Sequence, residues 1–512
     1  MRAASRVPAE RSAGSRRVAA DVLLVAASVA LYTAAYPPLS WSVLAWIALV
    51  PLLVVAARAS ALGALGYGLA WGVGLGFATA GWMPGMIARF FGVAAAASWA
   101  ASLGLAVALY GVWTALFAGF VRLAVQRRVA HPAVLAAGFG AIELARAGAP
   151  VPNPWVQLGA SQIGWSALAQ SADLAGPFGI SMLIAAANAC AAGLFVPALR
   201  PRRPLRCAAG VALLLGASLL YGASRLGQDF TEGPEVSAAL LQDQDRGRAS
   251  DSIEQRLALT APALAQDPRL VVWPELALRS SLRDDSAASS RLLGAAGATH
   301  ADWLVGGPDQ QEWATRIDRF NSVFLVRDGQ VAGRYDKARL MPFAEENPLP
   351  RWLSSWRRPF APGDPRYAYP LRAGDLRVGI LLCSEMMVSA RARALVAQGA
   401  ELLANPAYDE WFGSPGAVQQ QLELAQLRAI ESRRFVVRAA TGGRSAAIDP
   451  HGRVVAALPP GASDVLLAHV RASHAVSPYQ RWGDAVPFAG GAFAALALAF
   501  PLAGLRRTAQ ET

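Results

Sequence analysis

Charge, cysteine and histidine are all scarce in this sequence. Only 16% of its 512 residues are charged while 54% are hydrophobic, against about a quarter charged in an ordinary soluble domain. Such a balance excludes a wholly water-soluble chain, and much of the length is expected in lipid. The three cysteines are Cys190, Cys207 and Cys383. The first two fall in or beside apolar segments, so neither is a natural partner for the third. No CxxC or Cys/His spacing suggests a metal site, and the five histidines are scattered. Neither metal nor cofactor is expected. Acidic residues are outnumbered, 35 to 47, for a net charge of +12. A basic balance can mean nucleic acid, but here the arginines flank apolar runs, which membrane topology explains better.

Apolar runs recur at 18–36, 39–57, 61–82, 94–121, 133–147, 176–197 and 208–224. A helix needs about 20 residues to cross a 30 Å hydrocarbon core, and most of these suffice. The run at 133–147 is short and contains Glu143 and Arg146. A signal peptide ending near Thr33-Ala34-Ala35 is the weaker reading of the first run, because further runs follow at once. Arginines cluster at Arg2, Arg6, Arg11, Arg16 and Arg17, at Arg58, at Arg122, Arg127 and Arg128, and at Arg200, Arg202, Arg203 and Arg206. Every second loop is therefore basic. The pattern fits a cytoplasmic basic N-terminus over 1–17 and a membrane domain of about seven spans over 18–225. It sends 226–480 to the outer face, and a last run at 487–505, followed by Arg506 and Arg507, returns to the cytoplasm. The uncharged loop Pro150-Val151-Pro152-Asn153-Pro154-Trp155 and the stretch Trp82-Met83-Pro84 read as interfacial aromatics or as part of a lipid-facing mouth.

Beyond residue 226 the composition turns polar, and apolar strands alternate with helical stretches. Strands are expected at 236–241, 270–273, 303–306, 322–327, 331–335, 378–382, 402–404, 435–439 and 465–469. Helices are expected at 252–266, 286–298, 389–398 and 417–432. Asp328-Gly329 and His451-Gly452 are hairpin signals. The alternation argues for a sandwich with sheets inside and helices outside.

Three strand ends carry chemistry. Gly379-Ile380-Leu381-Leu382 runs straight into Cys383-Ser384-Glu385, a buried strand delivering a thiol to a turn. Trp273-Pro274-Glu275 ends another strand, where a partly desolvated carboxylate could act as general base. Tyr335-Asp336-Lys337 ends a third and offers a cation to an oxyanion. Taken singly, each has a bland reading: a core cysteine, a solvated turn acid and an exposed lysine. Together they form a coherent acyl-transfer set.

Glu, Lys and Cys in this order resemble the nitrilase superfamily of carbon–nitrogen hydrolases, and the wider context resembles its membrane branch, the apolipoprotein N-acyltransferases. The resembling stretches are the three above with Pro342-Phe343-Ala344-Glu345, Trp411-Phe412-Gly413, Arg428-Ala429-Ile430-Glu431 and Tyr479-Gln480-Arg481-Trp482-Gly483-Asp484. In the membrane half, Leu158-Gly159-Ala160-Ser161-Gln162 and Gln170-Ser171-Ala172-Asp173-Leu174-Ala175-Gly176 also match.

The resemblance implies a polytopic α-helical membrane domain joined to a nitrilase-like α/β domain, an αββα sandwich, in a bacterial inner membrane with the catalytic domain periplasmic. It implies Cys383 as nucleophile, Glu275 as base and Lys337 as oxyanion stabiliser, with Glu345 and Glu385 supporting them. Tyr408, Trp411 and Phe412 would touch substrate. It further implies a phospholipid acyl donor and a diacylglyceryl-lipoprotein acceptor, with the enzyme a monomer needing no nucleic acid. Three departures fall around the pocket: Ser384 where the family has tyrosine, no tryptophan within 242–250, and an insertion near Tyr408-Asp409-Glu410. They favour, as alternatives, an acyltransferase for another amine or a membrane-anchored amidase. A non-catalytic scaffold or transporter fits less well, because the spans carry few charges.

The orientation is testable at the first hairpin. A single cysteine introduced as Asp328→Cys should react with a membrane-impermeant maleimide on intact spheroplasts. Protection until the membrane is broken would reverse the assignment.

Overall fold

Leu270-Val271-Val272 and Val378-Gly379-Ile380 are apolar on successive residues, the pattern of strands covered on both faces. A computed structural model of the protein describes residues 7–149, 151–244, 253–284, 286–314, 316–347, 360–365 and 369–500. The chain divides into two units. One comprises Met1–Ser171, Pro177–Tyr221 and Asp484–Thr512, the other Ala172–Gly176 and Gly222–Gly483.

Among the described residues the second unit has twelve strands. They are β1 (Glu232–Gln242), β2 (Leu270–Val272), β3 (Asp302–Trp313), β4 (Arg316–Arg327), β5 (Gln330–Asp336), β6 (Leu371–Ala373), β7 (Leu376–Ile380), β8 (Leu402–Tyr408), β9 (Phe435–Thr441), β10 (Ala446–Ile448), β11 (Val454–Ala457) and β12 (Asp464–Ala472). They form two six-stranded sheets, ordered β12-β1-β2-β3-β4-β5 and β11-β10-β9-β8-β7-β6. In the first, β1, β2 and β3 run parallel and the flanks antiparallel. The second repeats the scheme around β7, β8 and β9.

Side chains alternate along a strand, so each sheet has two packed faces. Leu240, Val272, Leu304 and Leu325 meet Val378, Ile380, Leu402 and Val437 in one buried cluster between the sheets. Trp273, Trp303 and Phe324 face the other way, against the helices Ile253–Leu264 and Ala287–Gly297. Leu381, Leu403 and Val436 pack against the helices Ser389–Ala397 and Pro415–Ser432. Each such side chain contributes about 1.5–3 kcal/mol by leaving water. The four layers are the helix–sheet–sheet–helix sandwich expected from the sequence. The hairpins at Asp328-Gly329 and His451-Gly452 join β4 to β5 and β10 to β11. Three strands escape sequence reading, β6, β10 and β11, because three or four residues are too few to set a period. The strand expected through 382 ends at Ile380, since Leu382 already leads into the Cys383 turn. The insertion expected near Tyr408 leaves no bulge: β8 pairs with β9 without a register shift from Leu402↔Phe435 to Tyr408↔Thr441.

In the first unit apolar helices dominate. Five helices of the described chain are long and apolar enough to cross a membrane: Ser15–Ala34, Ala61–Ala80, Ala95–Gln126, Ala172–Phe195 and Pro204–Leu226. The run at 39–57 does not form one long helix but three short ones, Ser42–Leu44, Ala45–Ala48 and Val50–Arg58. At the break, Asn188 Oδ1 accepts from Leu49 N (2.8 Å) and its amide donates to Ala45 O (3.0 Å), so the exposed backbone groups are satisfied inside the protein. The short run at 133–147 is the helix Pro132–Gly148, with Glu143 and Arg146 both buried. Glu143 Oε1 accepts from Leu158 N at 2.8 Å. Trp155 is buried near Trp82, their rings 6.2 Å apart. Ala485–Ala499 covers the start of the last apolar run. Residues 501–505, Arg506, Arg507, Arg2, Arg6 and the 245–250 part of the missing-tryptophan stretch lie outside the described residues.

The segment Ala172–Gly176 belongs to the second unit by its contacts. Asp173 is wholly buried and its Oδ2 accepts from Arg433 (3.0 and 2.5 Å) and Arg225 (3.1 Å). The Phe230 ring lies 4.4 and 4.6 Å from the same two guanidiniums. Asp173→Ala would strand both cations and should cost about 3–5 kcal/mol. The denaturation midpoint in detergent should fall accordingly, and an unchanged midpoint would contradict this role.

Candidate active site

Parallel strands present their carboxyl ends to one edge of a sheet, where α/β proteins bind ligands. Glu275 lies just past the end of β2 there, and Cys383 just past the end of β7. Two antiparallel reversals, through β4, return β5 to the direction of β2, so Lys337 emerges at the same end. Pro274 removes a backbone donor and stops the strand. The turn it starts passes close over Gly306, where a Cβ would lie 2.1 Å from Pro274 O and 2.8 Å from Glu275 Cα.

The three candidates are together and out of water, with Glu275 4%, Lys337 2% and Cys383 7% exposed. Lys337 Nζ donates to Glu275 Oε1 (2.9 Å) and pairs with Glu345 Oε2 (2.8 Å). The Asn321 amide donates to both carboxylates, 2.8 Å to Glu275 Oε1 and 2.7 Å to Glu345 Oε1. Met341 N closes the ring on Glu345 Oε2 at 2.7 Å. The Cys383 thiol is in hydrogen-bonding reach of Glu275, and its sulfur lies 3.9 Å from Tyr408 O.

Cys383 has φ 48°, a left-handed conformation that costs a side-chain-bearing residue about 1–3 kcal/mol and gathers at functional sites. Glu385 holds that turn. Its Oε2 accepts from Leu382 N (3.0 Å) and Tyr335 OH (2.6 Å), and its Oε1 from Ala338 N (3.1 Å) and Arg339 N (3.0 Å). Glu385 therefore clamps the Lys337 loop to the Cys383 turn.

Burial, and then the Glu275 charge, push the Cys383 thiol well above its usual range, while Lys337 pulls it back. Burial also raises Glu275, only partly offset by Lys337. For Lys337, burial disfavours the ammonium, but Glu275, Glu345 and the thiol outweigh it, and the group titrates well above the ordinary lysine range. At neutral pH the resting site is a protonated thiol beside an ammonium held between carboxylates.

Tyr408 is the last residue of β8, and Trp411 and Phe412 follow it on the chain. Phe412 is buried, Tyr408 and Trp411 are half-buried, and the Trp411 and Phe412 rings stand 5.9 Å apart. Ser384 is buried beside Cys383. Sequence reading overlooked Asn321 and also the strongest single signal for Lys337, which is the only lysine among the 47 Lys+Arg of the chain. A compact ammonium fits between two carboxylates where a forked guanidinium does not. Asn321 interrupts an apolar strand, which marks a buried polar group that must have partners.

The fold and the site define a carbon–nitrogen hydrolase domain attached to an apolar helical domain. Residues 237–477 match the carbon-nitrogen hydrolase family model, and 28–190 match that of the apolipoprotein N-acyltransferase N-terminal domain. The chain is 30% identical over 503 residues to an apolipoprotein N-acyltransferase of Geobacter metallireducens, covering 94% of this chain and 95% of that one. It is 32% identical to the apolipoprotein N-acyltransferase of Caulobacter vibrioides, over 81% of this chain and 79% of that one. Among solved structures, a carbon-nitrogen hydrolase from Helicobacter pylori aligns with 46% of this chain and 89% of its own, at 18% identity and a TM-score of 0.37. The chain belongs to the apolipoprotein N-acyltransferase family.

The raised thiol fixes how Cys383 should react with a simple alkylating agent. Its rate with iodoacetamide should climb about tenfold per pH unit without levelling below pH 9, because only the thiolate attacks. Lys337→Met removes a cation that favours the thiolate, so alkylation should slow at every pH. A plateau near neutral pH, read by mass spectrometry, would contradict this electrostatic picture.

Proposed function

We propose that this acyltransferase moves an acyl chain from a phospholipid, through a thioester on Cys383, to the α-amine of the diacylglyceryl-modified cysteine of apolipoproteins. In the first half-reaction the Cys383 sulfur attacks the ester carbonyl while Glu275 takes its proton. Lys337 stabilises the oxyanion that forms. The C–O bond then breaks, the lysophospholipid alkoxide takes the proton from Glu275, and the thioester remains. In the second, the neutral amine attacks the thioester and loses a proton to Glu275. The thiolate departs and is reprotonated. Every atom and proton is accounted for without metal or nucleotide.

Family membership supports the reaction class, and the buried contact of Lys337 with Glu275 beside the left-handed Cys383 turn carries the residue assignment. Glu345 is the second acceptor that keeps Lys337 charged, and Glu385 keeps the Lys337 loop on the thiol. The apolar helices and the basic alternate loops support an enzyme of the bacterial inner membrane with its catalytic unit on the periplasmic side. Tyr408, Trp411 and Phe412 line the approach of substrate. Ser384, small where a tyrosine is usual, favours as second reading an acceptor amine of different shape on the same acyl-enzyme.

Intact-protein mass spectrometry after incubation with phospholipid tests the central step. Wild type should gain one acyl group that hydroxylamine removes. Cys383→Ala should gain none, and Cys383→Ser should fail too, since an alcohol is a far poorer nucleophile at neutral pH. A hydroxylamine-sensitive acyl group on the alanine variant would remove Cys383 from the mechanism. Loading without transfer to any lipopeptide would support the second reading.

A further inference from the structure

Behind Cys383 lies a second buried ion pair that the proposed chemistry leaves unused. Arg438 stands in the middle of β9, between Val437 and Ala439, and is 1% exposed. Its Nη1 donates to Asn405 Oδ1 and its Nη2 to Asp409 Oδ2. Asn405 is the residue directly opposite on β8 and is fully buried. Its own amide donates to Leu381 O (2.5 Å) and Cys383 O (3.3 Å). One guanidinium is thus connected, through one amide, to carbonyls on both sides of the left-handed Cys383 backbone.

The other branch ends on Asp409, the residue after Tyr408, whose carbonyl lies 3.9 Å from the Cys383 sulfur. Asp409 caps the end of β8, its N–H donating to Thr441 O at 2.8 Å. Its carboxylate fills the space over Gly443, where a Cβ would lie 2.2 Å from Oδ2. The groups that charge the thiol's surroundings are Glu275 beyond β2, Lys337 beyond β5 and Asp409 beyond β8. Asp409, after burial and Glu275, is among the causes that hold the thiol up. Arg438 is the cation paired with it.

Stability alone gives a weak reason for such a pair. Replacing buried ion pairs with apolar residues is often neutral or stabilising. Moreover, neither Arg438 Nε nor Asp409 Oδ1 has a hydrogen-bond partner among the described residues.

We propose that Arg438 is a positioning residue for acyl transfer: through Asn405 it fixes the Cys383 turn, and by pairing with Asp409 it neutralises the carboxylate at the end of β8. The proposal rests on Cys383 being the nucleophile. The two branches are separable by mutation, because Asn405 carries only the positional effect and Asp409 only the electrostatic one.

The test is single-turnover loading of the full-length chain with phosphatidylethanolamine in detergent micelles, measured against pH. Arg438→Met should slow loading roughly 100-fold, the cost of about 1 Å of misplacement. It should also move the pH midpoint upward, because an unpaired Asp409 disfavours the thiolate. Arg438→Met with Asp409→Asn should bring the midpoint back while loading stays slow. Asn405→Ala should be slow with the wild-type midpoint, and Arg438→Lys should recover the midpoint with part of the rate. Wild-type rate and midpoint in Arg438→Met would overturn the proposal. If that variant does not fold, a wild-type rate in Asn405→Ala overturns it equally. A wild-type enzyme that transfers acyl groups without ever loading Cys383 would overturn the nucleophile assignment instead, a result distinct from both.

Discussion

The catalytic unit depends on one ammonium held between two carboxylates out of water. Removing any of these charges from solvent is expensive, and an unpaired one would cost several kcal/mol. Lys337, Glu275 and Glu345 therefore stand or fall together, with Asn321 and Met341 N supplying the remaining hydrogen bonds. This mutual dependence explains the surrounding backbone. Leu276, Phe343 and Cys383, all close in sequence to these groups, have left-handed φ values. Such conformations persist only where neighbours over-determine them, and here Glu385 with its four hydrogen bonds is one such neighbour.

Sheet topology makes that convergence unavoidable. Each sheet has three parallel strands at its heart, and the inter-sheet core of Val, Leu and Ile fixes their register to within one residue, since a slip would turn every core side chain outward. Once β2 and β7 are registered, Glu275 and Cys383 follow from where each apolar run stops. The same logic carries Arg438 inward: it faces Asn405 across a regular parallel ladder, so its charge has nowhere to go except toward the Cys383 turn.

Much of this was legible in the sequence, because apolar runs and the polar residues that end them report strands and their mouths directly. β2, β7, β8 and β9, the turns at Asp328-Gly329 and His451-Gly452, and the grouping of Glu275, Lys337 and Cys383 could be anticipated for that reason. What could not be read depends on partners distant in the chain. Nothing local says that Asn321 spans two carboxylates or that Glu385 ties two loops together. The apolar run at 39–57 breaks at a point satisfied by Asn188, more than a hundred residues away. Very short strands such as β6 and β10 exist only because a neighbour pairs with them. Two local signals were nevertheless present: a charge at Arg438 inside an apolar strand, and a lysine that has no counterpart anywhere else in the chain.

The raised thiol makes sense only in combination with this setting. A low-pKa cysteine is fast toward any electrophile and vulnerable to oxidation. Here burial and the carboxylates keep sulfur protonated at rest, and Glu275, itself pushed up by burial, is the carboxylate placed to take the proton. In the proposed reaction the thiolate exists only while a carbonyl stands within its reach and Lys337 can receive the charge passed to oxygen. In that reaction the protonated resting thiol is spent only when a lipid substrate is bound.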